Sequence, residues 1–271
     1  MHDERLKGTK KIGFVPTMGA LHDGHISLIK ASKKNNQITV CSIFVNPTQF
    51  NNLEDLEKYP RDLEKDIKFL VEHECDVLFL PEVNEIYQKD EIKEVIDYGN
   101  VTNDFEGKFR PGHFDGVVMI VKKFFQIIEP DNTYFGQKDY QQCLVIEHLI
   151  KRNQFPVNLI ICPTLREHDG LAMSSRNARL TEEERKAAAI IPQTLNYIKQ
   201  HIHQIPLNDI IYLAIEQFKK GSSLMNIEYL DIVDSKNIQH LSEINETTKA
   251  IVLIAVWCGK IRLIDNLILA D

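Results

Sequence analysis

No apolar run in this chain approaches the about 20 residues that a membrane-spanning helix needs; the longest, Ala250 to Cys258, falls far short. A basic excess is missing too. Lys and Arg number 32 against 39 Asp and Glu, a formal net charge of -7, so a nucleic acid finds no electrostatic footing. Cysteine is sparse and unpatterned: Cys41, Cys75, Cys143, Cys162 and Cys258 show no C-x-x-C spacing, and they read as buried reduced thiols of a cytosolic protein. The opening Met1-His2-Asp3-Glu4-Arg5 lacks the apolar core of a secretory signal. There is no internal repeat and no low-complexity tract. The expectation is a soluble, cytoplasmic chain with neither membrane nor nucleic-acid partner.

What is present is an ordinary globular composition over 271 residues, room for one large domain or two smaller ones. Strand-length apolar runs at Ile12–Val15, Ile38–Val45, Val77–Leu80, Thr133–Phe135 and Val157–Cys162 alternate with helical stretches at Ile26–Lys33, Arg61–His73, Phe114–Ile128 and Tyr140–Lys151. Strands without clean polar alternation, separated by helices, predict an α/β fold with a parallel sheet covered on both faces. Ligands of such sheets bind beyond the carboxyl ends of the strands. That places Pro16–His25, Asn46–Phe50 and Gly136–Asp139 on one rim. Beyond about residue 170 the pattern changes. Thr181 and Glu184 form a capping box that opens a helix, with Pro192 as a kink or break. Ile227–Val233, Ala250–Cys258 and Ile261–Ile268 are β-rich, and Gly259-Lys260 suits a hairpin turn. A smaller α+β domain is expected there, giving domains at 1–166 and 167–271.

The most informative stretch is Ile12 to Ile29, where an apolar strand runs into Pro16-Thr17-Met18-Gly19-Ala20-Leu21-His22-Asp23-Gly24-His25. A strand that breaks on Pro and Gly and then opens a helix presents unpaired backbone N–H groups and the positive end of the helix dipole to an anion. His22 and His25, three apart, share a helix face and can donate to phosphate oxygens. The same pair also suits a solvated face with no role, and alone the two readings balance; the glycines and the strand-turn-helix context favour phosphate. Zinc would want further Cys or His ligands that are not evident nearby.

Other segments add chemistry. In Gly136-Gln137-Lys138-Asp139-Tyr140-Gln141-Gln142, Lys138 suits a triphosphate as a point charge and Asp139 suits ribose hydroxyls, although a helix-start Asp is also a routine cap. Met173-Ser174-Ser175-Arg176-Asn177 offers hydroxyls, N–H groups and a guanidinium as a second anion clamp, or is simply a linker. In Asn46-Pro47-Thr48-Gln49-Phe50, Gln49 supplies both a donor and an acceptor for a small polar substrate, while Asn-Pro also starts turns. Arg110 and His113, in Arg110-Pro111-Gly112-His113-Phe114, are expected to add positive potential to the rim.

Taken in order with Phe44 to Phe50, Tyr59-Pro60-Arg61 and Arg262-Leu263-Ile264-Asp265-Asn266, these segments resemble the AMP-forming pantoate beta-alanine ligases, the pantothenate synthetase family, from about residue 11 to the C-terminus. The resemblance implies a two-step reaction. ATP and pantoate give pantoyl adenylate and pyrophosphate, and the amine of beta-alanine then displaces AMP. It further implies a Rossmann-like nucleotidyltransferase domain, a C-terminal lid domain, Mg²⁺ and a homodimer.

Carried over by motif, Met18, Gly19, Ala20, Leu21, His22, Asp23, Gly24 and His25 would contact ATP, with His25 as proton donor and His22 beside it. Gly136, Gln137, Lys138 and Asp139 would also hold the nucleotide, as would Met173, Ser174, Ser175 and Arg176, with Leu165 near the adenine. Gln49 and Gln142 would bind pantoate, and Asp66 would help to hold Mg²⁺. The chemistry agrees: a carboxylate attacking an α-phosphate needs positioning and charge neutralisation, here by His22, His25, Lys138 and Arg176, rather than a covalent nucleophile. A water-labile adenylate gives a second domain reason to close. Two features depart from the family pattern. The chain begins close to the first motif, so an initial strand and helix are expected to be shortened, and Gln137 stands where a charged residue is expected. The competing readings are an adenylyltransferase that stops at the adenylated product, and a non-catalytic nucleotide- or RNA-binding relative of class I aminoacyl-tRNA synthetases.

Overall fold

A computed structural model describes residues 10–88, 91, 94–245 and 248–270. The chain start, on which the expectations of no leader and of a shortened first strand and helix fall, lies outside the described residues. Two compact units result. One comprises residues 1–137 and 141–163; the other comprises 138–140 and 164–271.

In the first unit, β1 (Ile12–Thr17), β2 (Ile38–Ile43), β3 (Val77–Phe79), β4 (Asn132–Gly136) and β5 (Asn158–Cys162) form an all-parallel sheet in the order β3-β2-β1-β4-β5. Between them run α1 (Asp23–Asn35), α2 (Leu63–Glu72), α3 (His113–Ile128) and α4 (Tyr140–Asn153). Residue parity decides which helix each strand residue meets. Val15 packs with Leu21, Ile26 and Ile29 of the α1 side, whereas Phe14 turns its ring onto Phe124 of α3, which also meets Phe44 and Phe79 edge-on. Burial on both faces is why the central strands carry few polar residues, whereas the edge strand β5 leaves Asn158 and Ile161 exposed.

The strand order reverses between β1 and β4. Those two pair only through Gly13–Asn132 and Phe14–Thr133, so their carboxyl ends part, and Pro16, with no N–H to donate, sits where β1 needs no bond to β4. This is the switch point at which open parallel sheets bind ligands.

At the opposite, amino-terminal end of the sheet, α1 is pressed onto β1 by a polar seam. Ser32 Oγ meets Thr39 Oγ1 at 2.8 Å, Asn36 Nδ2 donates to the Tyr134 hydroxyl at 2.7 Å, and Asn132 Nδ2 donates to Asn36 Oδ1 at 2.6 Å. The helix lies this close because Gly13 has no Cβ: one built there would fall 2.1 Å from Ser32 Oγ.

In the second unit, β6 (Met225–Asp234), β7 (Ala250–Cys258) and β8 (Ile261–Ala270) form an antiparallel sheet in sequence order, with the expected turn at Gly259-Lys260. Two helices, α5 (Ile190–His201) and α6 (Leu207–Gly221), bury Leu195, Ile198, Ile210, Ala214 and Phe218 against Leu230, Val252, Ile254 and Val256. Thr181 and Glu184 form the expected capping box on the helix Glu182–Ala187. Pro192 lies in the first turn of α5, where no intrahelical N–H is needed, and the break falls just upstream at Ala188-Ala189. Proline excludes a helical carbonyl four residues before it, which accounts for the offset. The fold is thus α/β with a smaller α+β unit, and no described helix is long and apolar enough to cross a membrane.

Candidate functional site

The segment after β1 differs in one respect from the sequence expectation. Several of its backbone amides are taken by the protein's own groups rather than left open for an anion. Gly19 N donates to Thr17 Oγ1, Ala20 N to Asp66 Oδ2 at 2.8 Å and Leu21 N to Asp66 Oδ1 at 2.7 Å. Gly24 N donates to His22 Nδ1 at 3.1 Å, and His22 N to His25 Nδ1 at 3.3 Å. His22 is the N-cap of α1 and His25 its third residue, so the two imidazoles form a reciprocal capping box, with ring centroids 4.1 Å apart.

This arrangement fixes the tautomers. A ring nitrogen that accepts from an amide carries no proton, so each neutral ring holds its hydrogen on Nε2. Any hydrogen bond that a neutral ring of this pair donates therefore leaves from Nε2.

Asp66 is buried on α2, and burial pushes its carboxyl above the ordinary range, against the opposing pull of the Leu21 and Ala20 amides. Each oxygen is engaged by one of those amides. Gly19 and Ala20 both adopt positive φ, +79° and +50°, a conformation that glycine takes freely and alanine only when held. Asp66 therefore clamps a strained turn. This clamp is a task beyond the Mg²⁺ contact expected of Asp66; among the described residues no group of three or more His, Cys, Asp or Glu converges on a point.

After β2 the chain makes a short turn, Pro47–Gln49, capped by Asn46. Asn46 is 1% exposed. Its Oδ1 accepts from Thr48 N and from the Tyr87 hydroxyl, and its Nδ2 donates to the Gly116 carbonyl and, at 3.0 Å, to Gln49 Oε1. Because an amide N–H can only donate and a carbonyl can only accept, the backbone partners decide which way Asn46 points, and Asn46 in turn decides Gln49. The Gln49 carboxamide therefore turns its NH₂ toward Met18 Sδ, 3.1 Å away. Burial pushes the Tyr87 hydroxyl up to about 12, so it remains a donor. His113 is buried with Nδ1 against the Gln49 carbonyl at 2.8 Å, and Arg110 is paired with Glu106. Of the two residues expected to add positive potential, Arg110 is thus partly offset by a carboxylate.

β4 ends on Gly136, and Gln137 opens the short turn Gln137–Asp139. On α4, Gln141 is buried and spends its amide on the carbonyls of Val101 and Asp104 and on Glu106 N. Gln142, half-buried, has none of these bonds. The adjacent glutamines thus differ: Gln141 holds the fold, and Gln142 takes no part in that network. Asn46 and Asp66 are the residues whose roles spacing alone does not reveal.

The second unit carries the remaining expected residues. Lys138 Nζ lies 3.5 Å from Asp139 Oδ1. Leu165 is partly exposed, and its carbonyl accepts from Met173 N. Ser174 caps the turn Ser175–Arg179 by accepting from Arg176 N at 3.2 Å, so that amide and that hydroxyl oxygen satisfy each other. Within Met173–Arg176, the stretch expected to clamp an anion, the Ser174 oxygen and the Arg176 amide thus serve the turn itself.

Comparison with known proteins points one way. A family model described as Pantoate-beta-alanine ligase matches residues 1–268. A pantothenate synthetase of Cytophaga hutchinsonii is 46% identical over 98% of this chain and 94% of its own length, and that of Caldicellulosiruptor bescii is 44% identical over 97% and 92%. Among solved structures, pantothenate synthetase from Thermus thermophilus superposes with a TM-score of 0.91 at 39% identity, covering 96% of this chain and 94% of that one. A pantoate-beta-alanine ligase from Francisella tularensis, complexed with beta-gamma ATP and beta-alanine, gives 0.80 at 37% identity, covering 98% and 94%.

Proposed function

Since this chain belongs to the pantoate-beta-alanine ligase family, we propose that it condenses pantoate with beta-alanine at the expense of ATP, through a pantoyl adenylate, releasing pyrophosphate and then AMP. The observation that carries the reading is local to the first unit. Paired imidazole donors after β1 and an amide of fixed orientation after β2 lie at the carboxyl edge of the sheet that parts between β1 and β4.

In this reading the pantoate carboxylate attacks the α-phosphorus and needs no general base. His22 and His25 donate from Nε2 to phosphate oxygens as charge builds on them. A neutral imidazole is a poor acid, so His25 acts as a hydrogen-bond donor rather than as the proton source expected from the resemblance. From the first unit, Met18 to His25 and Gly136-Gln137 are assigned to ATP; from the second, Lys138, Asp139, Leu165 and Met173 to Arg176. Gln49 directs its NH₂, and Gln142 its amide, to pantoate oxygens. The charge expected at Gln137 is dispensable if that position uses its backbone. Mg²⁺ belongs to this reading as a companion of the triphosphate; each Asp66 oxygen accepts one amide and keeps a lone pair that would be open to the ion. The homodimer, the cytoplasmic location and the lid role of residues 167–271 are parts of the same proposal.

The test is product analysis. With ATP and pantoate, pyrophosphate exchange into ATP is expected, and AMP should accumulate together with an amide product only when beta-alanine is added. ADP in place of AMP, or exchange without pantoate, would refute the proposal; exchange with no response to beta-alanine would favour the adenylyltransferase that stops after one step.

The fixed Gln49 amide gives a sharper expectation. A hydrogen bond to a charged oxygen contributes about 1.5–3 kcal/mol, so Gln49→Ala should raise the pantoate KM about 10- to 100-fold while the ATP KM stays within about two-fold. Equal changes in both constants would remove Gln49 from the pantoate site.

A further inference from the structure

The segment Arg262 to Asn266 carries part of the family resemblance but received no task. It lies in β8, an edge strand of the second unit's sheet. Edge strands leave one row of backbone groups without a strand partner, and here side chains engage part of it. Asp265, whose side chain is 1% exposed, takes two bonds from the Arg166 guanidinium at 2.6 and 3.0 Å. Arg166 also donates to the carbonyls of Gly170 and Asn266. Asn266, 2% exposed, donates its backbone N–H to Asp265 Oδ1 at 2.7 Å. Its carboxamide Nδ2 then reaches 128 residues back along the chain to donate to the Lys138 carbonyl at 2.9 Å.

We propose that Asn266 is a positioning residue for Lys138, holding the main chain of the lysine so that its ammonium is aimed at the nucleotide phosphates. The inference rests on the assignment of Lys138 to ATP made above. A lysine is a point charge on a four-carbon flexible stem, and its usefulness to a phosphate depends on where the stem begins. Fixing the Lys138 carbonyl fixes the peptide plane that follows it. A second bond, from the Tyr140 hydroxyl to the Ser235 carbonyl at 2.8 Å, secures the other end of the same short segment. Residues 138–140 are thus tied to the C-terminal unit at both ends, in keeping with their grouping there. The Arg166–Asp265 pair keeps Asn266 in place: Asp265 orders the Asn266 amide and Arg166 holds its carbonyl.

The experiment is a double-mutant cycle read by pantoate-dependent ATP–pyrophosphate exchange. Asn266→Ala should lower kcat/KM for ATP about ten-fold and leave the pantoate KM within about two-fold; Lys138→Ala should lower it further, by about a hundred-fold. In the double variant the loss should match that of Lys138→Ala alone within about two-fold, because residues acting through one another are not additive. Independent losses that multiply, a normal Asn266→Ala enzyme, or equal effects on both substrates would overturn the proposal. If Asn266→Ala does not fold by thermal melting, Tyr140→Phe enters the same cycle with the same expected non-additivity and the same overturning results. The two levels of the reading separate cleanly. A Lys138→Ala enzyme that exchanges normally rejects the lysine's role and the anchor with it, whereas multiplying losses on a crippled lysine reject the anchor alone.

Discussion

Replacing His25 by alanine should slow pantoyl adenylate formation by about 10²-fold or more, the magnitude that follows removal of a charge-stabilising donor from a phosphoryl or acyl transfer site. The substitution also deletes one half of the capping box on α1, which accepts the His22 amide through Nδ1, and a lost cap costs about 1 kcal/mol. The two effects can be separated. Glutamine at the third helical position restores a capping box, so His25→Gln should melt close to the parent protein and still be slow, because its N–H groups do not occupy the position of the imidazole Nε2. Exchange kinetics and thermal melts on the two variants decide the matter. Near-parental exchange in His25→Ala would remove the residue from the chemistry.

The second large effect is expected at Asp66. Asp66→Ala leaves the buried Leu21 amide and its neighbour at Ala20 without their acceptor, at about 1–3 kcal/mol for each unsatisfied group. It also releases a turn whose residues Gly19 and Ala20 are held at positive φ. Against a total stability of about 5–15 kcal/mol, a fall in melting temperature on the order of 10 °C is expected, together with a raised ATP KM. Asp66→Asn, which keeps one acceptor, should fall between. An Asp66→Ala protein of unchanged melting temperature that needs more Mg²⁺ would make metal binding, not the clamp, the main task of the residue.

The strands of the first unit were legible because their apolar residues do not alternate with polar ones: both faces of β1 and β2 are buried, and Leu159, Ile160 and Ile161 run together in β5 although Ile161 is exposed. The hairpin at Gly259-Lys260 and the capping box at Thr181 were legible because their chemistry is local. The helix Leu207–Gly221 lacked a capping signal: Pro206 precedes it without a side-chain cap, and only the spacing of Leu207, Ile210, Ala214 and Phe218 betrays it. The occupancy of the amides after β1 was hidden for a different reason. Their acceptor, Asp66, lies 45 and 46 residues away along the chain, and no spacing rule connects an aspartate in a mid-chain helix with a loop that reads as open to anions. Asn46 hid likewise behind the plain expectation of an Asn-Pro turn, although it fixes the orientation of the very glutamine that the sequence did pick out.

The seam between Gly13 and the last turns of α1 has an effect at a distance. A 13-residue helix is a rod of about 20 Å. Its far end rests where Gly13 leaves room for Ser32 and Asn36, and its near end carries His22 and His25. Any side chain at Gly13 would pry that far end off the sheet and tilt the rod, swinging both imidazoles off target with every reacting group chemically intact. The alignment of the histidines is in this sense set at the other end of a lever, by a residue that never meets a substrate.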